Sequence, residues 1–219
     1  MKSTLSFSQR LKLMPVLIIK LFVVQFFTWF ALFALWIYST PVITKYIFNT
    51  SDATSREFGN GIVWVGYCFA FYSLLAAILS FYLPALVKMI GILKVHAIAL
   101  LIAAVGFLAI YFVHSKWTLF IPFACIGIGW SSISNIPYKI VASSAEESHI
   151  DFYMSVFSFS VVIPQVFAAT LLGFITDRFL GNNSLYTILC GGVSMFVAGA
   201  ITLFIRSPRS TVHGRQDNV

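Results

Sequence analysis

The sequence predicts an all-α polytopic membrane protein of six transmembrane helices, and three observations carry that prediction. Apolar stretches at 21–42, 61–87, 95–113, 117–142, 152–176 and 184–205 fill most of the 219-residue chain. Each reaches the roughly 20 residues of helix needed to cross a hydrocarbon core of about 30 Å. Hydrophobic residues make up 59% of the chain and charged residues 10%, against about 25% charged in a soluble domain. Mean hydropathy is +0.92. The connections between stretches are short, so no soluble domain fits between them.

Taken in order, residues 1–20 form a basic, partly polar tail. The first apolar stretch is too long for a cleaved signal peptide and lacks a small-residue cleavage site, so it reads as a span that stays. Along it, Gln25, Thr28, Trp36 and Ser39 fall at helical spacing on one stripe, with Trp29 beside them. Span two opens at Trp64 and holds Pro84; span three opens beside His96, which reads as interfacial. Span four opens at Trp117. It carries Gly127-Ile128-Gly129, then Trp130, Ser131, Ser134, Asn135 and Tyr138 around Pro137. Span five has Ser155, Ser158 and Gln165 on one face with Pro164 adjacent, and span six has Gly191-Gly192 and Gly199. The glycines read as places where helices pack closely. Residues 21–205 thus form the bundle, and 206–219 a second polar tail.

Six spans with both ends on one side divide into two sets of three with opposite orientation, a 3+3 inverted repeat. The prolines follow that division loosely. Pro41 and Pro137 lie near the ends of spans one and four, Pro84 and Pro164 within spans two and five. Spans three and six have none, and Pro122 has no counterpart.

The net charge of +7 is distributed as topology rather than as a nucleic-acid footprint. Lys2, Arg10, Lys12, Lys20, Lys88, Lys94, Lys139, Arg206, Arg209 and Arg215 fall on one side; Lys45, Arg56, Lys116 and Arg178 fall on the other. The positive-inside rule puts both termini in the cytoplasm. The acidic loop with Glu146, Glu147 and Asp151 carries little weight in that rule. Cys68, Cys125 and Cys190 all lie inside spans and read as apolar packers. Asn49-Thr50-Ser51 and Asn182-Asn183-Ser184 match the glycosylation sequon, a pattern too short to weigh.

Polar side chains within spans are where chemistry would sit, because each is costly in hydrocarbon and faces a partner or a wet cavity. The stripes of spans one, four and five are neutral. Amides and hydroxyls exchange hydrogen bonds with sugar hydroxyls, while an aromatic face covers the apolar side of a sugar ring. For the span-one stripe, hydrogen bonding between helices with aromatic packing is the favoured account. Asp52, Glu57, Glu146, Glu147, Asp151, Asp177 and Asp217 all avoid the middle of a span. No HExxH, GxSxG, P-loop or paired-carboxylate pattern occurs, so the expectation is a non-enzyme without a cofactor or a bound metal.

Two segments resemble a known family. Val24-Gln25-Phe26-Phe27-Thr28-Trp29-Phe30-Ala31-Leu32-Phe33, continuing to Trp36-Ile37-Tyr38 and Thr40-Pro41, is similar to the helix that opens the second half of bacterial sucrose/maltose-type sugar transporters. These are relatives of the glycoside–pentoside–hexuronide:cation symporters within the major facilitator superfamily. Gly127-Ile128-Gly129-Trp130 through Ile136-Pro137-Tyr138, then Tyr153-Met154 and Val162-Ile163-Pro164-Gln165, resembles the fourth and fifth helices of that half. The likeness extends over most of the chain.

The resemblance implies a fold equivalent to one half of a major facilitator. It also implies a bacterial inner-membrane location and transport of a sugar with a cation, usually a proton. It makes Gln25, Trp29, Trp130, Asn135, Tyr138 and Gln165 cavity residues; Thr28, Ser134 and Ser158 join them from the polar stripes. Residues 1–14 look like a former central loop leading through Pro15 into the bundle. The sequence departs from the family pattern at Lys139, at Ser158, in Lys88-Met89-Ile90-Gly91 and in the acidic Ala145-Glu146-Glu147-Ser148-His149.

The leading expectation is the carboxy-terminal half of a sugar:cation symporter, truncated or split, whose partners are a sugar, the lipid bilayer and a missing amino-terminal six-helix half. The alternatives are a homodimer in which a second copy replaces that half, and a non-transporting membrane partner or remnant.

Overall fold

A computed structural model describes residues 6–205. The charges at Lys2, Arg206, Arg209, Arg215 and Asp217, on which part of the topology argument rests, lie outside the described residues. Eight α-helices follow in chain order: α1 (Phe7–Lys12), α2 (Val16–Tyr46), α3 (Arg56–Ile90), α4 (Ile92–Ala109), α5 (Phe120–Ile133), α6 (Ile136–Ser144), α7 (Ile150–Phe179) and α8 (Ser184–Phe204). Short 3-10 turns at Ile110–Phe112 and Glu147–His149 extend α4 and precede α7. Six units are long and apolar enough to cross a membrane, with α5 and α6 together making the fourth.

Local sequence explains the boundaries. Pro15 immediately precedes α2, where a missing N–H and a fixed φ cost nothing. At 31 residues α2 is about 45 Å long, more than the hydrocarbon core requires. Ser55 caps α3 by accepting from the Phe58 N–H at 3.2 Å. Gly91, at φ 92°, turns the chain from α3 directly into α4, a conformation that suits glycine. Asn183 caps α8 through the Leu185 N–H at 3.0 Å, and the Tyr46 hydroxyl donates to the same side-chain oxygen at 2.9 Å, tying the end of α2 to the start of α8.

The tail expected at 1–20 contains α1. Ser6 and Gln9 form a reciprocal capping box, Phe7 packs edge-on against Phe152 at 5.4 Å, and the Tyr153 hydroxyl donates to the Arg10 carbonyl at 3.3 Å. Residues 7–12 are therefore helical and docked on the start of α7.

The packing repeats itself. α2 lies against α8 as α5 lies against α4; α3 lies against α5 as α7 lies against α2; and α4 lies against α8. Exchanging α2–α3–α4 for α5/α6–α7–α8 leaves that pattern intact, as a 3+3 repeat requires. Burial follows it too. The most apolar stretches of α3 and α7 are only 22% and 28% buried, against 44–56% for the other four spans. Small residues allow the closest approaches. A Cβ on Gly127 would stand 2.8 Å from the Tyr72 carbonyl oxygen of α3, and one on Gly129 would run into Ala103 of α4.

Candidate substrate-binding surface

On α2, Gln25 and Thr28 are fully buried, and Thr28 donates its hydroxyl to the Gln25 backbone carbonyl at 3.0 Å and to the Gln25 side-chain oxygen at 3.2 Å. The Gln25 amide nitrogen is buried with no hydrogen-bond partner. One turn on, Trp29 is half-buried, and its indole N–H also lacks a partner. Ser39, on the same predicted stripe, turns inward and donates to the Leu35 carbonyl at 2.6 Å. The α2 stripe therefore splits into an interior amide–hydroxyl pair and a partly exposed aromatic group.

Trp29 meets Trp130 of α5 edge-to-face at 5.9 Å and Trp36 at 6.1 Å; Trp36 meets Trp130 at 5.8 Å, and Tyr72 of α3 leans on Trp130 at 6.3 Å. These rings join three helices. Edge-to-face pairs of this kind add about 0.5–1.5 kcal/mol each beyond burial, which fixes the helices' relative rotation. Tyr72 was not picked out from the sequence. Its signal is the buried series Gly61, Val65, Cys68, Tyr72 and Ala76 on α3, legible only once that helix's inward face is known.

Below Trp130 the fourth span breaks. Pro137 has no N–H to give the Ile133 carbonyl. Ser134 donates to the Trp130 carbonyl at 2.6 Å, and the Asn135 amide donates to the Ser131 carbonyl at 2.8 Å and to Ser80 of α3 at 3.1 Å. Asn135 thus fastens the break to α3. Tyr138 follows on α6 and packs edge-to-face on Phe157 of α7 at 5.6 Å.

The remaining candidates stand on another face. Ser158 and Gln165 are exposed on α7; Ser158 donates only to the Met154 carbonyl, at 3.1 Å. Trp29 and Trp130 meet where α2 touches α5, Ser134 and Asn135 follow Trp130 within five residues and bond its own span and α3, Tyr138 lies between α6 and α7, and Ser158 and Gln165 join neither group. Charge stays outside this surface. In the α2–α3 loop, the Thr54 hydroxyl and N–H donate to Asp52 and hold its carboxyl below the usual carboxylate range.

His96, at the start of α4, is fully buried against the neighbouring helices, and its Nδ1 lies 2.7 Å from the Ser132 hydroxyl of α5. A titratable group does therefore lie within the bundle.

The family model for the Major Facilitator Superfamily matches residues 21–217. The chain belongs to the major facilitator superfamily. As a member it is an integral membrane protein of a transport family, in keeping with its six apolar spans. No curated protein matches the chain. The superfamily match reaches all six spans, taking in α2 from residue 21, so the aromatic contact of α2 with α5 and the break before α6 belong to the major-facilitator part of the chain.

Proposed function

We propose that this major facilitator forms the carboxy-terminal half of a sugar:cation symporter and supplies part of its sugar cavity. The observation that carries the reading is the contact of Trp29 and Trp36 with Trp130, set beside the amide of Asn135 and the hydroxyl of Ser134. Aromatic rings edged by neutral hydrogen-bonding groups suit an uncharged polyhydroxylated ligand better than an ion. Tyr138, between α6 and α7, would meet the ligand from that side; Ser158 and Gln165, on the exposed flank of α7, would line the cavity only once a second six-helix unit closes it; Gln25 and Thr28 would support Trp29 from within.

The exposed flanks of α3 and α7 support the half-transporter reading. A second six-helix unit laid across them would enclose the cavity, as in transporters whose site lies between two repeats. A second copy of this chain fits the same flanks, because α3 and α7 are equivalent in the internal repeat.

The test is uptake of a labelled disaccharide into proteoliposomes, with the chain alone and with a six-helix amino-terminal half of a sugar symporter co-reconstituted. Saturable uptake only in the combined sample, abolished by Trp130→Ala, is expected. Robust uptake by the chain as a monomer would sink the half-transporter reading. Uptake by a cross-linkable dimer of the chain would favour the two-copy arrangement.

A further inference from the structure

His96 sits one turn inside α4, wholly enclosed, in a bundle otherwise lined by neutral groups. Its Nδ1 bonds Ser132 in the last turn of α5, and its Nε2 is buried with no hydrogen-bond partner. Ser132 lies three residues before Asn135 and two after Trp130, between the helix break and the aromatic cluster. An ionisable side chain enclosed within a candidate transmembrane helix is costly to charge, and such residues characteristically mark ion or proton pathways.

In either neutral tautomer Nε2 goes unsatisfied. An added proton makes both ring nitrogens donors. Nδ1–H can then give to the Ser132 oxygen, but Nε2–H requires an acceptor, and the imidazolium requires a counter-charge or water. The packed helices place no counter-charge there. α4 contacts α3, α5, α6 and α8. Their titratable or charged groups are Arg56, Glu57, Tyr67, Cys68, Tyr72, Tyr82 and Lys88 on α3, Cys125 on α5, Tyr138 and Lys139 on α6, and Tyr186 and Cys190 on α8, with Lys94 on α4 itself. The only carboxylate among these is Glu57, at the opposite end of α3 from Lys88. The cations nearest in sequence to the amino end of α4, Lys88 and Lys94, are exposed.

We infer that His96 is a proton-binding site coupled to opening of the bundle at the α5–α6 break. The proton comes from water that reaches Nε2 only when the α4–α5 contact loosens, and closing the contact returns it to water. Proton and conformation are then linked, because a ligand that binds one state better shifts the population towards it. The inference goes beyond the sugar reading and is tested without any sugar.

The experiment uses the full chain in lipid nanodiscs with ring-15N-labelled histidine. His114, His149 and His213 are replaced by Gln, so that His96 is the sole imidazole. Expected are a neutral ring at pH 8, protonation on acidification towards pH 4.5, and a change in tryptophan fluorescence with the same midpoint. The fluorescence change is lost in His96→Gln of the otherwise native chain, while Ser132→Ala moves the midpoint to higher pH by freeing the ring from the closed contact. A ring that stays neutral to pH 4.5, or one that protonates with no tryptophan change, would overturn the inference. If His96→Gln fails to fold, the 15N titration and its coincidence with fluorescence still decide. Protonation with coupled opening but no uptake in the reconstitution assay would leave His96 assigned and remove the sugar reading.

Discussion

α2 and the pair α5–α6 occupy equivalent places in the internal repeat, yet one runs unbroken and the other is cut at Ser134–Asn135. Both contain proline late in the span. Pro41 sits inside α2, where the helix continues to Tyr46; Pro137 sits at the start of α6, two residues past the interruption. Proline alone does not decide the outcome, because Pro84 and Pro164 also lie inside unbroken helices, α3 and α7. What differs is the company. Around Pro41, Ser39 and Thr44 bond back to the Leu35 and Thr40 carbonyls at 2.6 and 2.9 Å, both within α2. Before Pro137, Ser134 and Asn135 capture the carbonyls of Trp130 and Ser131, and Asn135 reaches α3 as well. Short polar side chains that bond to local backbone compete with helix. Side chains also take carbonyls before Pro41, Pro84 and Pro164; the broken span is the one in which a side chain just before the proline also donates to another helix.

The largest expected effect lies on the packed side of the break. Gly127→Leu would drive a side chain into the Tyr72 backbone of α3, where even a Cβ stands at 2.8 Å. Overpacking of this kind costs about 1–3 kcal/mol and more where backbone must move. The expected result is loss of the monodisperse, folded protein in mild detergent, read by thermal unfolding. A stable Gly127→Leu protein would mean that α3 and α5 are not held this close.

Asn135→Leu should rank next. It leaves the buried Ser131 carbonyl without its 2.8 Å donor and cuts the tie to Ser80. Polar ties between membrane helices average about 0.6 kcal/mol and reach roughly 1.7 kcal/mol, and this change should fall in the upper part of that range. Titration with a denaturing detergent measures it. Thr44→Ala in α2, which removes only a bond within the helix, should cost less; equal losses would erase the contrast between the two spans.

A sharper cut separates proline from its neighbours. Pro137→Ala restores an N–H that can reach the Ile133 carbonyl, yet the break should persist while Asn135 holds Ser131. Combined with Asn135→Leu, the same change should heal the span. Amide hydrogen exchange at 137–139 reads the difference, with slow exchange expected only in the double variant. Slow exchange in Pro137→Ala alone would return the whole effect to proline.

Part of this was legible in the sequence. Six spans, the density of polar groups before Pro137, and the pairing of Trp29 and Trp130 as candidates all follow from periodicity, cost in hydrocarbon, or family likeness. The interior position of Gln25 and Thr28 does not, because a stripe on one helix cannot say whether it faces a neighbour or a cavity. His96 was hidden for a related reason. The sequence of one span does not show that its histidine is enclosed, because the partner, Ser132, lies 36 residues away. The helix α1 carries a readable signal, Ser6 followed three residues later by Gln9, within an otherwise basic and polar stretch.

The smallest effect should come from Lys139, the charged residue nearest the break. Its position one turn past Asn135 invites a role in the cavity, but it is exposed, while Ile140 and Val141 beside it are buried. A lysine on the outside of a short helix near a span end can extend its ammonium to the headgroups while its stem covers apolar surface. Lys139→Ala should therefore leave unfolding in detergent unchanged within error, and should not alter uptake by the assembled transporter. A loss of uptake with unchanged folding would point the other way, to an ammonium that meets an acidic group across the cavity. That outcome would move the polar surface of α5–α6 from a neutral site to a charged one, and the contrast with α2 would then be one of electrostatics as well as backbone.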